Sequence, residues 1–165
     1  YPLPEAQLDR FFFKVLVPTA TRAELNQILA RTTGGSPDQV SRVLDGPRLL
    51  AHQRLVRRVA VADHVRDYAV RAVLATHAND PLATPMARRF VRLGASPRAA
   101  QTLILAGKVR ALLDARAALS IDDIASVALP ALRHRLILNF EAEAEGTTHD
   151  AIVRNIIDTL PRDAG

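Results

Sequence analysis

The sequence predicts a mainly α-helical protein: a helical bundle preceded by a short helix–strand–helix piece of α/β character. Three observations predict it. Beyond Gly34-Gly35-Ser36-Pro37 the apolar residues recur almost everywhere at helical spacing, in about five successive stretches. Before that point stands the one convincing long strand, Phe11 to Val17, apolar on both alternate faces. Apolar residues make up 48% of the 165-residue chain and charged residues 24%, which calls for a folded core rather than disorder. The Gly34–Pro37 run is the best domain boundary, dividing residues 1–33 from residues 34–165.

Each element follows from local chemistry. Pro4 can open a helical turn carrying Glu5 to Arg10. In the following strand Phe13, Val15 and Val17 line one face and Phe12 and Leu16 the other, with Lys14 the lone interruption. A strand of this kind belongs inside a sheet covered on both sides, and its partners are expected before Tyr1. Thr21-Arg22-Ala23-Glu24 is a capping box, followed by a stripe of Leu25, Ile28 and Leu29. Asp45 can cap a helix running to about Val59. Asp63 can cap the next, whose stripe is Val65, Tyr68, Ala69, Ala72, Val73 and Thr76. Asn79 to Arg92, with Pro81 and Pro85, reads as a loop. Ser96 and Pro97 then open a helix to about Arg116, apolar most of the way round and expected to be the most buried. Ser120 with Asp123 caps another, which Pro130 should kink or shorten. Leu136 to Phe140 reads as a short extended piece and Glu141 to Gly146 as an acidic turn. A last helix starts at Thr147 or Thr148 and carries Ile152, Val153, Ile156, Ile157 and Leu160.

The composition excludes several functions. Without cysteine there are no disulfides, thiolate metal sites or Cys nucleophile. No apolar run approaches membrane-spanning length and no secretory signal is read, so the expected location is the cytoplasm. The formal charge of +5 could attract nucleic acid or nucleotide phosphate, yet aromatics at 4% leave few base-stacking platforms. There is no G-x-x-x-x-G-K-[ST] loop, no H-E-x-x-H, no close His pair and no Ser-His-Asp spacing. No metal ligands are expected. Lys108 lies within a helix. His134 stands between Arg133 and Arg135, a neighbourhood that disfavours a metal.

One stretch sets local helix physics against side-chain charge. Ser96 suits the N-cap and Pro97 the first helical position, which leaves Arg98 in the first turn, where the macrodipole disfavours a cation. An anion beside it, such as phosphate, resolves the conflict; a solvated surface arginine accounts for it as well. Arg10 falls at the end of a short helix and the edge of a sheet, where ligands often approach, or else serves as a dipole partner for that helix. Arg133 and Arg135 could pair with Glu141, Glu143 or Glu145, the reading favoured over nucleic-acid contact.

Three runs together point to a family. Tyr1-Pro2-Leu3-Pro4-Glu5-Ala6-Gln7-Leu8-Asp9-Arg10-Phe11 resembles the end of the AAA+ core in MoxR-type ATPases. Gly94-Ala95-Ser96-Pro97-Arg98-Ala99 is similar to their sensor 2 motif, and Leu129-Pro130-Ala131-Leu132-Arg133-His134-Arg135-Leu136 resembles the run that follows it. The runs occur in the family's order. The resemblance implies that residues 1–33 end an ATPase core and residues 34–165 form its helical lid. It implies a ring-forming, chaperone-like remodeller, expected as a hexamer, using ATP and Mg²⁺ in the full-length protein. A protein with a von Willebrand factor A domain is the implied partner class. By the same resemblance Arg10 is the catalytic arginine finger, offered to a neighbouring subunit's nucleotide. Arg98, with Ser96 and Pro97, forms the nucleotide-binding sensor 2. The family's phosphate loop, Mg²⁺-holding acidic motif and sensor 1 strand do not occur in these residues, so the chain alone is expected neither to bind ATP and Mg²⁺ nor to hydrolyse ATP. Asn79–Arg92 is longer and richer in proline than the family pattern. The alternative reading is a basic helical module for nucleic acid or protein interaction.

Overall fold

The computed structural model describes residues 3–35 and 40–163; Ser36 and Pro37 of the predicted boundary lie outside the described residues. The chain forms two compact units, Tyr1–Lys14 with Arg54–Gly165, and Val15–Gln53. The predicted division near residue 33 runs through the smaller unit.

In the smaller unit, α2 (Arg22–Thr32) carries the predicted capping box: Thr21 Oγ1 accepts from Glu24 N, and the Glu24 carboxylate accepts from Thr21 N at 2.7 Å. α3 (Gly46–Arg58) begins here, with Asp45 accepting from Arg48 N at 2.8 Å. Leu25, Ile28, Leu29, Leu49 and Leu50 all remain exposed.

The larger unit opens with α1 (Glu5–Leu8) and holds the core. α6 (Pro97–Leu113) packs between α4 (Asp63–Leu74) and α7 (Ile121–Leu132), and α7 packs in turn on α9 (His149–Thr159). The predicted α4 stripe is buried in full, including Thr76. Asp63 is not its cap, however. Ala62 holds the N-cap position with no side-chain bond, and Asp63 in the first turn pairs with Arg66 at 2.9 Å. α6 buries Ala99, Leu103 and Ala106, while Val109 and Leu113 near its end are exposed. α7 runs through Pro130 to Leu132. Its Ser120–Asp123 capping box is reinforced by Arg116, whose guanidinium donates to both Asp123 oxygens at 2.5 and 2.8 Å.

Two predicted irregular segments are ordered elements. Within Asn79–Arg92, Thr84 caps α5 (Pro85–Phe90) and Pro85 takes its first turn; these are the same Thr/Ser-Pro chemistry read at Ser96-Pro97. Phe90 is buried, and the chain continues as β1 (Val91–Leu93), antiparallel to β2 (Ile137–Leu138). β2 falls within the extended piece predicted at Leu136–Phe140. The acidic turn is α8 (Phe140–Ala144), capped by Asn139 and closed by Gly146 at φ +68°. Arg89 takes both Glu141 and Glu145.

The predicted strand at Phe11–Val17 joins no sheet among the described residues. Its first part, Phe11–Lys14, lies instead along the C-terminal end of α7, where Lys14 N donates to Pro130 O at 2.9 Å and side chains satisfy the carbonyls. The sequence pattern shows the burial such a strand would need. It cannot supply the neighbouring strands that would provide it.

Candidate functional site

The start of α6 is built by close approach. An added Cβ on Gly94 would stand 2.8 Å from Thr76 O, Thr76 Oγ1 and His77 Cγ. That contact lets Ala95 N donate to Thr76 Oγ1 at 2.9 Å and His77 Nε2 donate to Ala95 O at 3.0 Å. Ser96 follows as the N-cap, its Oγ accepting from Arg98 N at 3.2 Å, with Pro97 in the first turn. Arg98 is exposed in that turn, as the sequence requires.

The Ser96 hydroxyl has a second role. It donates to the Asp9 carboxylate, 2.8 Å from each oxygen. A carboxylate from the chain itself therefore stands at this positive helix end. Asp9 is also 3.4 Å from Arg135 Nε. The segment after α1 thus meets the N-terminus of α6, and one open cavity of about 550 Å³ is lined by Asp9, Arg10, Arg98, Thr102, Leu105 and Arg135, among others. Arg10 lies two residues beyond α1, exposed, at a helix end as expected but at no sheet edge among the described residues. Three guanidiniums face one carboxylate, so the cavity is positively charged. Among the described residues neither Arg10 nor Arg98 has a carboxylate within ion-pair distance.

Arg133 and Arg135 do not pair with Glu141, Glu143 or Glu145. Arg133 forks onto Asp150, two bonds at 2.9 Å each, and Arg135 turns inward to Asp9. Glu141 and Glu143 are on α8 and Glu145 is its C-cap, a helix the sequence reading misses, and Arg89 takes Glu141 and Glu145. Arg135 is 6% exposed. Burial pulls its guanidinium below the ordinary value, and the Asp9 charge opposes that. His134 Nε2 donates to Phe11 O at 2.9 Å, while burial and the nearby Arg135 and Lys14 charges lower its pKa and favour the neutral ring. Neither Arg135 nor its partner Thr102 stood out in sequence as a site residue. The signal available was an arginine three residues past the end of α7, immediately before the apolar Leu136.

Residues 84–156 match the family described as AAA lid domain. Chaperone MoxR1 of Mycobacterium tuberculosis is 34% identical over 160 residues, covering 97% of this chain and 42% of that protein. Residues 84–156 are thus an AAA lid domain, in a chain that resembles the C-terminal part of MoxR-type AAA+ ATPases. Uncharacterized protein YeaC of Bacillus subtilis is also 34% identical, over 161 residues, covering 97% of the chain and 48% of that protein. A crystal structure of a candidate ATPase from Cytophaga hutchinsonii superposes with a TM-score of 0.88 at 30% identity, over 98% of this chain and 49% of that one. The chain thus spans about half the length of these relatives, or less. Its matched lid begins at the Thr84 cap of α5 and ends within α9, enclosing the α6 start and the Arg133–Arg135 run. No helix among the described residues is long and apolar enough to cross a membrane, and none of their His, Asp and Glu side chains gather in a group of three or more that could hold a metal.

Proposed function

We propose that this chain is the C-terminal portion of a ring-forming, chaperone-like MoxR-type ATPase, with residues 1–33 closing the ATPase core and residues 34–165 forming the lid. Arg98 acts as sensor 2, gripping the phosphates of bound ATP, and Ser96 and Pro97 shape the turn that presents it. Arg10 is the arginine finger, offered to the nucleotide of a neighbouring subunit in a hexamer. The observation that carries this reading is that Arg10 and Arg98, far apart in sequence, line one positively charged cavity without carboxylate partners of their own. Guanidiniums so placed suit phosphate oxygens, which they hold bidentately, and neutralise charge that develops on a transferring phosphoryl group.

The described residues fit the phosphate end of ATP and not Mg²⁺, since no acidic cluster is present to hold the metal. In this reading the phosphate cradle and the Mg²⁺ ligands come from the rest of the polypeptide, and the work of this chain is to orient phosphate and couple it to lid position. A von Willebrand factor A domain protein is the proposed partner class, and the cytoplasm the proposed location. Against the nucleic-acid alternative, Arg71, Arg89, Arg116, Arg133 and Arg135 are drawn into intrachain ion pairs.

The test is Arg98→Ala in the full-length protein. ATP turnover should fall on the order of 10²-fold while the lid keeps its melting temperature, because one donor to the transition state is lost from an exposed position. Turnover at the parental rate would remove the sensor 2 assignment.

A further inference from the structure

A ring of four hydrogen bonds and one ion pair begins and ends on the backbone of Arg98. Ser96 Oγ accepts from Arg98 N and donates to Asp9. The Asp9 carboxylate faces Arg135, and Arg135 Nη2 donates to Thr102 Oγ1 at 3.2 Å. Thr102 Oγ1 then donates to Arg98 O at 3.0 Å. The same guanidinium holds the chain on both sides of Arg10: Nη2 donates to Asp9 O at 3.0 Å and Phe11 O at 2.8 Å, and Nη1 to Phe12 O at 3.3 Å and to Ala131 O. Its neighbours extend the grip, His134 to Phe11 O and Arg133 to Lys14 O. A buried arginine is costly unless its donors are satisfied. The Nη donors are spent mainly on a segment that joins no sheet among the described residues, while Nε makes no hydrogen bond and faces the Asp9 carboxylate at 3.4 Å.

We propose that Asp9 and Arg135 are positioning residues that tie the Arg10 segment to the start of α6, so that Arg10 and Arg98 move as one body. This rests on the reading of those two arginines as phosphate-facing. The tie gives the lid a rigid route by which the grip of Arg98 on phosphate is felt at Arg10.

The experiment uses the full-length protein with Asp9→Ala, with Arg135→Lys as a second variant that keeps the charge and loses the fork, and with Arg10→Ala alone and combined with Asp9→Ala. Steady-state ATP turnover is paired with hydrogen exchange at the Phe11 and Lys14 amides without nucleotide. Asp9 is only partly buried, so Asp9→Ala is expected to fold even if Arg135→Lys does not. Asp9→Ala should lower kcat about 10-fold or more, because a misplaced catalytic group loses its orientation. Exchange at the two amides should rise about 10-fold. The kcat loss should disappear in the Arg10→Ala background, since Asp9 acts through Arg10. Losses that multiply in the double variant would overturn the proposal, as would parental kcat in Asp9→Ala when Arg10→Ala is impaired. If Arg10→Ala itself turns over normally, the functional reading fails. Amide exchange then judges the tie by itself, and unchanged exchange in Asp9→Ala would refute it.

Discussion

Asp123→Asn probes the junction that holds α7 against α6. The carboxylate is 4% exposed and takes two bonds from Arg116 and one each from Ser120 N and Oγ, at 2.9 and 2.8 Å. Arg116 above all, and then Ser120, hold its pKa at about 2 against an ordinary 3.8. The folded-state value is depressed. The stability it contributes is therefore complete above the unfolded pKa and is lost as pH falls from 3.8 through 2. At about 1.4 kcal/mol per decade, that is about 2 kcal/mol at pH 6, roughly 1 at pH 3 and less again at pH 2.5. Urea unfolding followed by helical circular dichroism, run on parent and Asp123→Asn at each pH, isolates this group because the other carboxylates titrate in both proteins. The difference should be about 2 kcal/mol at pH 6 and fall to half or less by pH 2.5. A difference that stays constant across that range, or one below about 0.5 kcal/mol at pH 6, would refute the reasoning.

Gly94→Ala should destabilise by about 2–3 kcal/mol, from overpacking against the Thr76 backbone and loss of the Ala95–Thr76 bond. Differential scanning calorimetry should show a melting temperature lower by roughly 5–10 °C. Gly46→Ala is its contrast: an added Cβ meets nothing within 4 Å, so stability should be unchanged or raised by up to about 1 kcal/mol in the same measurement. Leu103→Ala, at a fully buried site on α6, should cost about 3 kcal/mol by urea titration. Arg10→Ala should act in trans: mixed with a subunit that lacks a working phosphate loop, it should recover part of the ATP turnover in confirmed mixed rings. No recovery at any mixing ratio would leave Arg10 a helix-end residue.

What the sequence determined by itself is local. The Thr21–Glu24 and Ser120–Asp123 capping boxes, the Ser96-Pro97 helix start and the α4 and α9 stripes depend on residues within about one turn of each other, so spacing alone reveals them. The three family-like runs were legible for the same reason: each is contiguous. Local chemistry misleads at Thr84-Pro85 and Asn139, where prolines and acidic residues read as loop signals although cap residues stand beside them. Tertiary structure decided the rest. Only packing brings Asp9 to Ser96 and Arg135 to the carbonyls around Arg10, because those partners are joined through space and carry no periodicity along the chain. Only packing sends Arg133 to Asp150 and leaves Glu141 and Glu145 to Arg89. The fate of Phe11–Lys14 shows why: a backbone polar group must find a partner, but its identity, a neighbouring strand or an arginine at a helix end, depends on what the rest of the fold places beside it.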